Sequence, residues 1–381
     1  MRQGGKESLR IAIGMDLHKK TAVCCAVHAG PGKPSEDEEE FLRRFNRDHG
    51  TQPSEPEDIA RIAEALRGHE AHVLIENSTK THETYWVLTN LGIDTVVAQA
   101  QDLYRITKSV KKTDANDAAE LAGYMRRRLN GEREFAVCKM PSPVWMERRE
   151  ICRAVLAEKR HLADLKRRAR MHMLLHGIRL SKDYSDIFSK KAMKEMWDSR
   201  DTCLRLLVSE ARSIKARTDE EARLIRATFG HITDFDLVMS IPGFGAVSAA
   251  YAVSMIIDVK RFGSSAQLAA YFGLVPKVRE SAETSHRCAT THRGDREMRR
   301  LLCQSAIVHV RTAEDSVVSA LYNRLRARGV SHREAQVAAA RKLVTVVWSV
   351  LRNRRPFSTD RELLERSAEM AEEAEGDPAA D

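Results

Sequence analysis

Two aspartates three residues apart constrain this chain most, because a helix places both of their carboxylates on one face. Asp114 and Asp117 follow Thr113, a residue type that caps helix N-termini, and the alanines and Leu121 that come next favour a helix. Two like charges so close together repel each other unless something neutralises them. The positive end of the helix dipole would do so, and so would a Mg²⁺ ion bound by carboxylate oxygens. The spacing alone leaves both interpretations open.

Further acids upstream favour the metal interpretation. Asp16 follows the apolar, β-branched run 9–14, and Glu76 ends the apolar run 72–75. Strand-like and helix-like segments alternate up to about residue 128, which predicts an α/β domain with both acids at strand ends. Strand-end acids facing a helix-borne pair are the arrangement that RNase H-like nucleases use to bind two metal ions. The predicted Mg²⁺ ligands are therefore Asp16, Glu76, Asp114 and Asp117.

The charge of the chain is unevenly distributed. Net charge is +9, but from Glu362 to Asp381 eight acids stand against one arginine, so the rest of the chain carries about +16. A basic body of this kind suits a polyanionic partner, and nucleic acid is the first candidate. The acidic tail, residues 358–381, is expected to be disordered.

Cysteine usage and hydropathy exclude two classes of protein. The seven cysteines form no CxxC pair, and no signal peptide is recognisable. This pattern predicts a reducing, cytoplasmic compartment and no zinc cluster. The longest apolar run, 247–257, is too short to span a bilayer, so no membrane partner is expected.

The middle of the chain is helical and basic. From residue 144 to about 228 there is no proline and one glycine, and between Arg148 and Arg170 nine basic residues stand against three acids. Apolar residues with roughly heptad spacing predict a long helical hairpin or coiled coil. Such an element could dimerise, lie along a phosphate backbone or act as a spacer, and the pattern does not separate these roles.

Two C-terminal motifs have features of phosphate-binding sites. The turn Ile241-Pro242-Gly243-Phe244-Gly245 enters an apolar helix and resembles half of a helix-hairpin-helix, although plain turn chemistry explains it equally well. Further along, three arginines at i, i+3 and i+4 predict one basic helical face, and the glycine before them is preceded by a fourth arginine. Basic residues also precede the aspartate pair. The predicted nucleic-acid-binding residues are Lys111, Lys112, Arg293, Arg296, Arg299 and Arg300.

Two polar stretches are predicted to be surface loops. Residues 31–40 run from two prolines and one glycine into a series of acids, and residues 275–285 contain several charged and hydroxyl side chains.

In this order, the motifs resemble one family, the insertion-sequence family one-ten of bacterial transposases, also called DEDD transposases, to which pilin-gene invertases are similar. The matching blocks extend over nearly the whole chain up to about residue 355. They are Gly14-Met15-Asp16-Leu17-His18-Lys19-Lys20, Ile75-Glu76, Lys112-Thr113-Asp114-Ala115-Asn116-Asp117-Ala118, and a long block from Ile241-Pro242-Gly243-Phe244-Gly245 through Gly273-Leu274-Val275-Pro276 to Arg293-Gly294.

The resemblance implies a domain organisation and a set of partners. It implies a RuvC-like, RNase H-fold α/β domain at 1–143, a helical coiled-coil region at 144–232 and a mainly α C-terminal transposase domain at 233–357. By position, Asp16, Glu76, Asp114 and Asp117 match the metal-binding DEDD acids. The implied partners are donor and target DNA, a structured bridge RNA encoded by the element, and further copies of the chain in a dimer or tetramer. The implied place of action is the bacterial nucleoid.

The resemblance also implies a serine nucleophile in the C-terminal domain, in the loop after Gly-Leu-x-Pro. Ser281 matches that position best. The family usually has glycine directly after this serine, whereas Ala282 follows here, so Ser285 remains a rival. A serine hydroxyl needs a base or a nearby cation to become a good nucleophile.

Three functions compete. The leading hypothesis is a DNA recombinase that cuts and rejoins strands through a phosphoserine intermediate. A metal-dependent junction nuclease would need the four acids but not Ser281. A non-catalytic nucleic-acid-binding protein would use the acids only as helix caps. A tyrosine recombinase is disfavoured, because the His-x-x-Arg motif, His176 to Arg179, falls in the helical middle.

Overall fold

The computed structural model describes residues 8–99, 113–132, 135–274, 276–281, 284–290 and 294–359, and in the two strands between 276 and 290 it describes only the backbone. The chain divides into two compact units, Met1–Met140 and Pro141–Asp381. Lys111, Lys112, Ala282, Arg293 and most of the acidic tail lie outside the described residues.

The first unit is built on a mixed five-stranded sheet with the order β3-β2-β1-β4-β5. Its strands are β1 (Arg10–Leu17), β2 (Thr21–His28), β3 (Thr51–Pro53), β4 (Glu70–Glu76) and β5 (Asp94–Ala98). The first three strands pair antiparallel, whereas β1 pairs parallel with β4 and β4 pairs parallel with β5. The predicted α/β character of this unit is confirmed.

Helices connect and cover this sheet. They are α1 (Glu36–His49), α2 (Pro56–Ala65), α3 (Thr81–Asn90) and α4 (Asp114–Leu129). The prediction of a loop over residues 31–40 was wrong in its second half, because α1 begins at Glu36. Ser35 and Glu38 form a capping box there, and the acids that suggested a solvated loop complement the helix dipole.

Both faces of the sheet are buried. Ile11, Ile13 and Met15 are fully buried on one face, together with side chains of α1, α2 and α3. Ala12 and Leu74 pack on the other face with Leu121 of α4. Because successive strand residues point to opposite faces, this alternation fixes the direction of every side chain in β1.

The second unit is mainly helical. Its α-helices are α5 (Pro143–Leu175), α6 (Lys190–Asp198), α7 (Thr202–Phe229), α8 (Thr233–Met239), α9 (Ala246–Ile256), α10 (Ser265–Tyr271), α11 (Arg296–Thr312), α12 (Val317–Ala327) and α13 (His332–Asn353). Helices α5 and α7 pack together and share an apolar cluster that includes Leu165, Leu204 and Val208. The predicted helical hairpin is therefore present in this unit, whereas a coiled coil remains a prediction.

Residues 276–281 and 284–290 form strands rather than a loop. Strands β6 (Pro276–Ser281) and β7 (Thr284–Thr290) pair antiparallel, with Ser281 opposite Thr284. The loop prediction for residues 275–285 was wrong at the described positions 276–281, 284 and 285, because an antiparallel ladder pairs backbone groups whatever the polarity of the side chains. Residues 275, 282 and 283 lie outside the described residues. Polar strands of this kind lack the hydrophobic alternation on which sequence-based recognition relies.

Two findings concern the rest of the described chain. None of its helices combines the length and the apolarity that crossing a bilayer requires. The described cysteine side chains are free thiols, including the buried Cys24 and Cys152. Burial raises the pKa of Cys152 to about 12, so this thiol stays protonated and acts as a packing residue.

Candidate functional site

Strand β1 directs Asp16 toward helix α4. Ala12 packs with α4 side chains, and Gly14 faces the backbone of the same helix: a Cβ atom at Gly14 would lie 2.0 Å from the carbonyl oxygen of Ala118 and 2.3 Å from the amide nitrogen of Ala122. Asp16 occupies the next position of the same alternating row, so its carboxylate lies on the α4 side of the sheet.

Helix α4 brings a second carboxylate to this edge of the sheet. Thr113 caps the helix, with its hydroxyl accepting a hydrogen bond from the amide of Asn116 at 3.3 Å. Asp114 is the first helical residue and lies one turn before Ala118, the residue in contact with Gly14. The predicted helix is therefore confirmed. Its N-cap at Thr113 makes Asp114 the first helical residue.

Asp16, Asp114 and His18 form a close group. One ligand atom from each residue lies within 4.8 Å of the others. The Nε2 atom of His18 lies 3.3 Å from Oδ2 of Asp16 and 3.3 Å from Oδ2 of Asp114. The side chain of Asp16 is 16% exposed and that of Asp114 is 62% exposed, so the group is sheltered on the strand side and open on the helix side.

Glu76 comes to the same edge of the sheet through strand pairing. Met15 and Ile75 are paired in the parallel register of β1 and β4, so Asp16 and Glu76 each lie one position further along. Leu74 packs on the α4 face, and Glu76 two residues later belongs to the same face. Glu76 is half-buried and lies outside the close group around His18.

Asp117 is also half-buried and lies one turn before Leu121, which packs against the sheet. It lies outside the close group as well. Of the four predicted ligands, Asp16 and Asp114 are thus close together. Glu76 lies on β4, the parallel neighbour of β1, and Asp117 lies on the same helix as Asp114.

His18 was missed as a site residue by sequence reasoning. The signal was its position two residues after Asp16, because side chains two apart in an extended chain point the same way. His18 directly follows β1, which ends at Leu17, and its amide donates a hydrogen bond to the carbonyl of Thr21 at 2.8 Å.

The donor chemistry of the group fits a hard divalent cation. Carboxylate oxygens are the ligands that Mg²⁺ prefers, and Asp16 and Asp114 present two of them at one point. Imidazole nitrogen suits Mg²⁺ less well, so His18 fits better as a partner that orients the two carboxylates. An ion bound there would supply a positive charge that activates an attacking oxygen and stabilises a leaving one.

The predicted basic face lies on α11, where its members differ in their partners. Arg296 is exposed at the first position of the helix. Arg299 donates a hydrogen bond to the carbonyl of Gly294 at 2.8 Å, and Nε of Arg300 donates to Glu297 at 3.1 Å. The backbone of Ser281 and Ser285 is described, in adjacent register positions of the β6–β7 hairpin, so the choice between them as nucleophile remains a prediction.

The glycine-rich turn 241–245 docks on α11 through a buried histidine. Nδ1 of His309 lies 2.8 Å from the carbonyl oxygen of Pro242, and its Nε2 lies 2.9 Å from the hydroxyl of Ser316. Gly243 has φ of 96°, and a Cβ there would lie 2.2 Å from the carbonyl oxygen of Ser305, so only glycine fits. Burial lowers the pKa of His309, which keeps the imidazole neutral, with Nδ1–H donating to the turn.

Arg149 of α5 is a half-buried cation that contacts α9. Arg149 donates a hydrogen bond to the carbonyl of Ser254 at 2.9 Å, and desolvation by burial lowers the pKa of its guanidinium. Nearby, burial raises the pKa of Tyr251 to about 12, so its hydroxyl stays protonated. These groups are packed inside the helical unit and hold α5 against α9.

The protein therefore belongs to the class of two-unit proteins in which an α/β unit carries a group of carboxylates at its sheet edge and a helical, basic unit follows it in the chain. Comparison with known proteins identifies a family to which part of the chain is similar. Residues 235–323 match the sequence model of the Transposase IS116/IS110/IS902 family. This match covers one segment of the C-terminal part of the chain, and it confirms the resemblance inferred from the motifs.

Relatives of known description are similar over part of their length. The insertion element IS900 uncharacterized 42 kDa protein of Mycobacterium paratuberculosis is 29% identical over 153 residues, 40% of this chain and 38% of that protein. The pilin gene-inverting protein of Moraxella lacunata is 29% identical over 122 residues, 32% of this chain and 38% of that protein. The transposase for insertion sequence element IS1111A of Coxiella burnetii is 31% identical over 121 residues, 31% of this chain and 33% of that protein.

The chain spans less than two fifths of the length of these three relatives. The similarity agrees with the match of residues 235–323 to the transposase family.

Proposed function

We propose that this protein is a DNA transposase, a recombinase that cuts and rejoins strands with the help of Mg²⁺ and a covalent phosphoserine intermediate. The observation that carries the proposal is the meeting of Asp16 and Asp114 at one sheet edge, in a chain whose C-terminal segment is that of a transposase family. We further infer an RNase H-like first unit, because its mixed sheet has acids at the ends of β1 and β4 and on the helix that covers them.

In the proposed metal site, Asp16, Glu76, Asp114 and Asp117 hold Mg²⁺ and His18 orients the carboxylates of Asp16 and Asp114. Like-charged carboxylates this close repel each other, and binding a divalent cation removes that repulsion. The sheltered position of Asp16 fixes one ligand, while the exposure of Asp114 leaves a side open to a nucleic-acid phosphate.

In the proposed strand exchange, Ser281 is the nucleophile. Its hydroxyl gives up a proton as the Oγ–phosphorus bond forms, and the bond from phosphorus to the leaving deoxyribose oxygen breaks, with that oxygen taking up a proton. The phosphoserine bond conserves the energy of the broken phosphodiester. Attack by the hydroxyl of another strand then restores the phosphodiester and frees the serine.

The proposed partners are donor and target DNA, a structured bridge RNA that pairs with both, and further copies of the chain. Support for a polyanionic partner comes from the charge of about +16 on the chain outside its acidic tail. The names of the similar insertion-element transposases and of the pilin gene-inverting protein support DNA as the substrate.

The function is tested by purifying the protein with the RNA that accompanies it and incubating the complex with plasmids that carry candidate donor and target sites. We expect strand exchange in Mg²⁺ that disappears after chelation of the metal and after digestion of the RNA. Cleavage that releases hydrolysed ends without any rejoined product would instead identify a junction nuclease. Binding without cleavage or rejoining would identify a non-catalytic nucleic-acid-binding protein.

A further inference from the structure

A groove in the helical unit is lined by positively charged side chains. It encloses about 760 Å³ between α5, α7, α9 and α11. Its charged lining residues are Lys159, Arg160, Arg167 and Arg300, and none of the described residues that line it is an aspartate or a glutamate. Low-dielectric walls of one charge sign focus the electrostatic field and attract counter-ions of the opposite sign.

The positions of these cations follow from helix geometry. Lys159, Ala163 and Arg167 are spaced by four residues, so they form one stripe along α5. The apolar part of the wall is aliphatic and includes Leu156 and Leu301. Gly245, the N-cap of α9, and the first turn of that helix form part of the wall. They add the positive end of a helix dipole to the electrostatic field of the side chains.

A carboxylate behind the groove holds two of the arginines in place. Glu297 is 12% exposed and accepts a hydrogen bond from Arg160 at 3.1 Å and from Nε of Arg300 at 3.1 Å. One carboxylate shared by two guanidinium groups leaves a net positive charge. It also restricts both side chains before any ligand binds, which lowers the entropy cost of binding.

We infer that this groove binds the sugar-phosphate backbone of a nucleic-acid strand, without reading its sequence. The cations match the charge of the backbone, and the groove is large enough for more than a single small anion. Its described lining contains no aromatic ring on which a base would stack and little that would read a base edge, so contact is with phosphates. This role rests on the proposed function, in which nucleic acid is the partner. The groove contributes to the affinity for nucleic acid and takes no part in strand exchange.

The test measures how affinity depends on salt. The double variant Lys159→Gln, Arg167→Gln leaves Glu297 and its two arginine partners unchanged. The slope of log affinity against log salt is negative, and each lost phosphate contact reduces its magnitude by about 0.9 on duplex DNA and about 0.7 on a single strand. The full-length protein is titrated with a duplex DNA of scrambled sequence and with a single-stranded RNA of equal length.

We expect the magnitude of the slope to fall by about 1.8 on duplex DNA or about 1.4 on the single strand, for two lost contacts. A fall with one probe alone identifies the nucleic acid that occupies the groove, and a fall with both shows that it accepts either. The charge-preserving variant Lys159→Arg, Arg167→Lys should keep the wild-type slope, because the contact depends on charge rather than on packing.

A matched control removes two positive charges elsewhere. Arg43 and Arg44 are exposed on α1 and pair with Glu40 and Asp48, so Arg43→Gln, Arg44→Gln changes the net charge equally. An equal reduction in the magnitude of the slope in this control would overturn the inference, since net charge would then explain it. An unchanged slope in the groove variant with both probes would also overturn it, and strand exchange by the wild type would show that the proposed function stands independently.

Discussion

Gly14 and Ala118 are in backbone contact: a Cβ atom added to Gly14 would lie 2.0 Å from the carbonyl oxygen of Ala118. This approach lets helix α4 lie directly on strand β1. It also determines the site, because the residue two positions after Gly14 is Asp16 and the residue one turn before Ala118 is Asp114. The group of carboxylates therefore depends on a position that carries no functional side chain.

The first prediction concerns this contact. Gly14→Ala should lower the free energy of unfolding of the first unit by an amount at the upper end of roughly 1–3 kcal/mol, because the clash is with backbone that cannot rotate away. The measurement is hydrogen exchange of β1 and α4 peptides, which should become faster in the variant.

Helix α4 offers a matched control for this glycine. Gly123 has only the end of the Arg127 side chain near its Cβ position, at 3.9 Å. Gly123→Ala should therefore raise helix stability by roughly 0.5–1 kcal/mol and slow exchange in α4. Equal effects of the two alanine substitutions would show that the contact at Gly14 is not the reason.

The second prediction concerns metal binding. Asp114→Asn removes one carboxylate of the close group while keeping its shape, so affinity for Mn²⁺ as a Mg²⁺ substitute should fall by at least about 10-fold. Strand exchange should be lost. Because Asp114 is largely exposed, stability should change by no more than about 1 kcal/mol.

Mn²⁺ binding is measured by paramagnetic resonance of the free ion, and thermal unfolding reports whether the fold persists. Glu132→Gln, an exposed change just beyond α4, serves as the control and should bind Mn²⁺ like the wild type. Full strand exchange by Asp114→Asn in Mg²⁺ would remove this residue from the site.

The third prediction separates the two serines. Ser281→Ala should abolish covalent capture of DNA, and Ser285→Ala should leave it intact, since only one hydroxyl can bear the phosphoserine bond. Labelled substrate DNA with its RNA is incubated with each variant and run on a denaturing gel. Capture that survives in Ser281→Ala but not in Ser285→Ala would move the nucleophile to Ser285 and leave the mechanism in place.

The fourth prediction uses the buried imidazole of His309. Burial holds its pKa below the ordinary value of 6.5, so the unfolded state takes up a proton at a higher pH than the folded state does. The stability that the neutral imidazole contributes is therefore present above pH 6.5. It is lost as the pH falls from 6.5 toward the folded-state pKa.

The measurement is urea unfolding of wild type and His309→Gln across this pH range. The wild type should be the more stable protein at neutral pH, and its advantage should shrink as the pH falls. An advantage that stays constant down to pH 5 would mean that His309 is not held neutral by its surroundings.

Helix α4 and its N-cap at Thr113 were predictable from the sequence, because capping and alanine-rich helix formation are local effects. Local chemistry also revealed the acids at the ends of β1 and β4. The polar hairpin β6–β7 and the helix that begins at Glu36 were misread. In the hairpin, backbone hydrogen bonds pair the two strands although their side chains show no hydrophobic alternation. In α1, a capping box begins the helix, and the acids of its first turn are favourable there.

By itself, the sequence determined which residue types are present, the α/β and helical character of the two units, and the family of the C-terminal segment. Only the tertiary structure decided that Asp16 and Asp114 meet, that His18 joins them, and that Arg300 belongs to one groove with Lys159 and Arg167. The physical reason is distance along the chain. Contacts between residues far apart in sequence depend on strand register and helix packing, which no local pattern encodes.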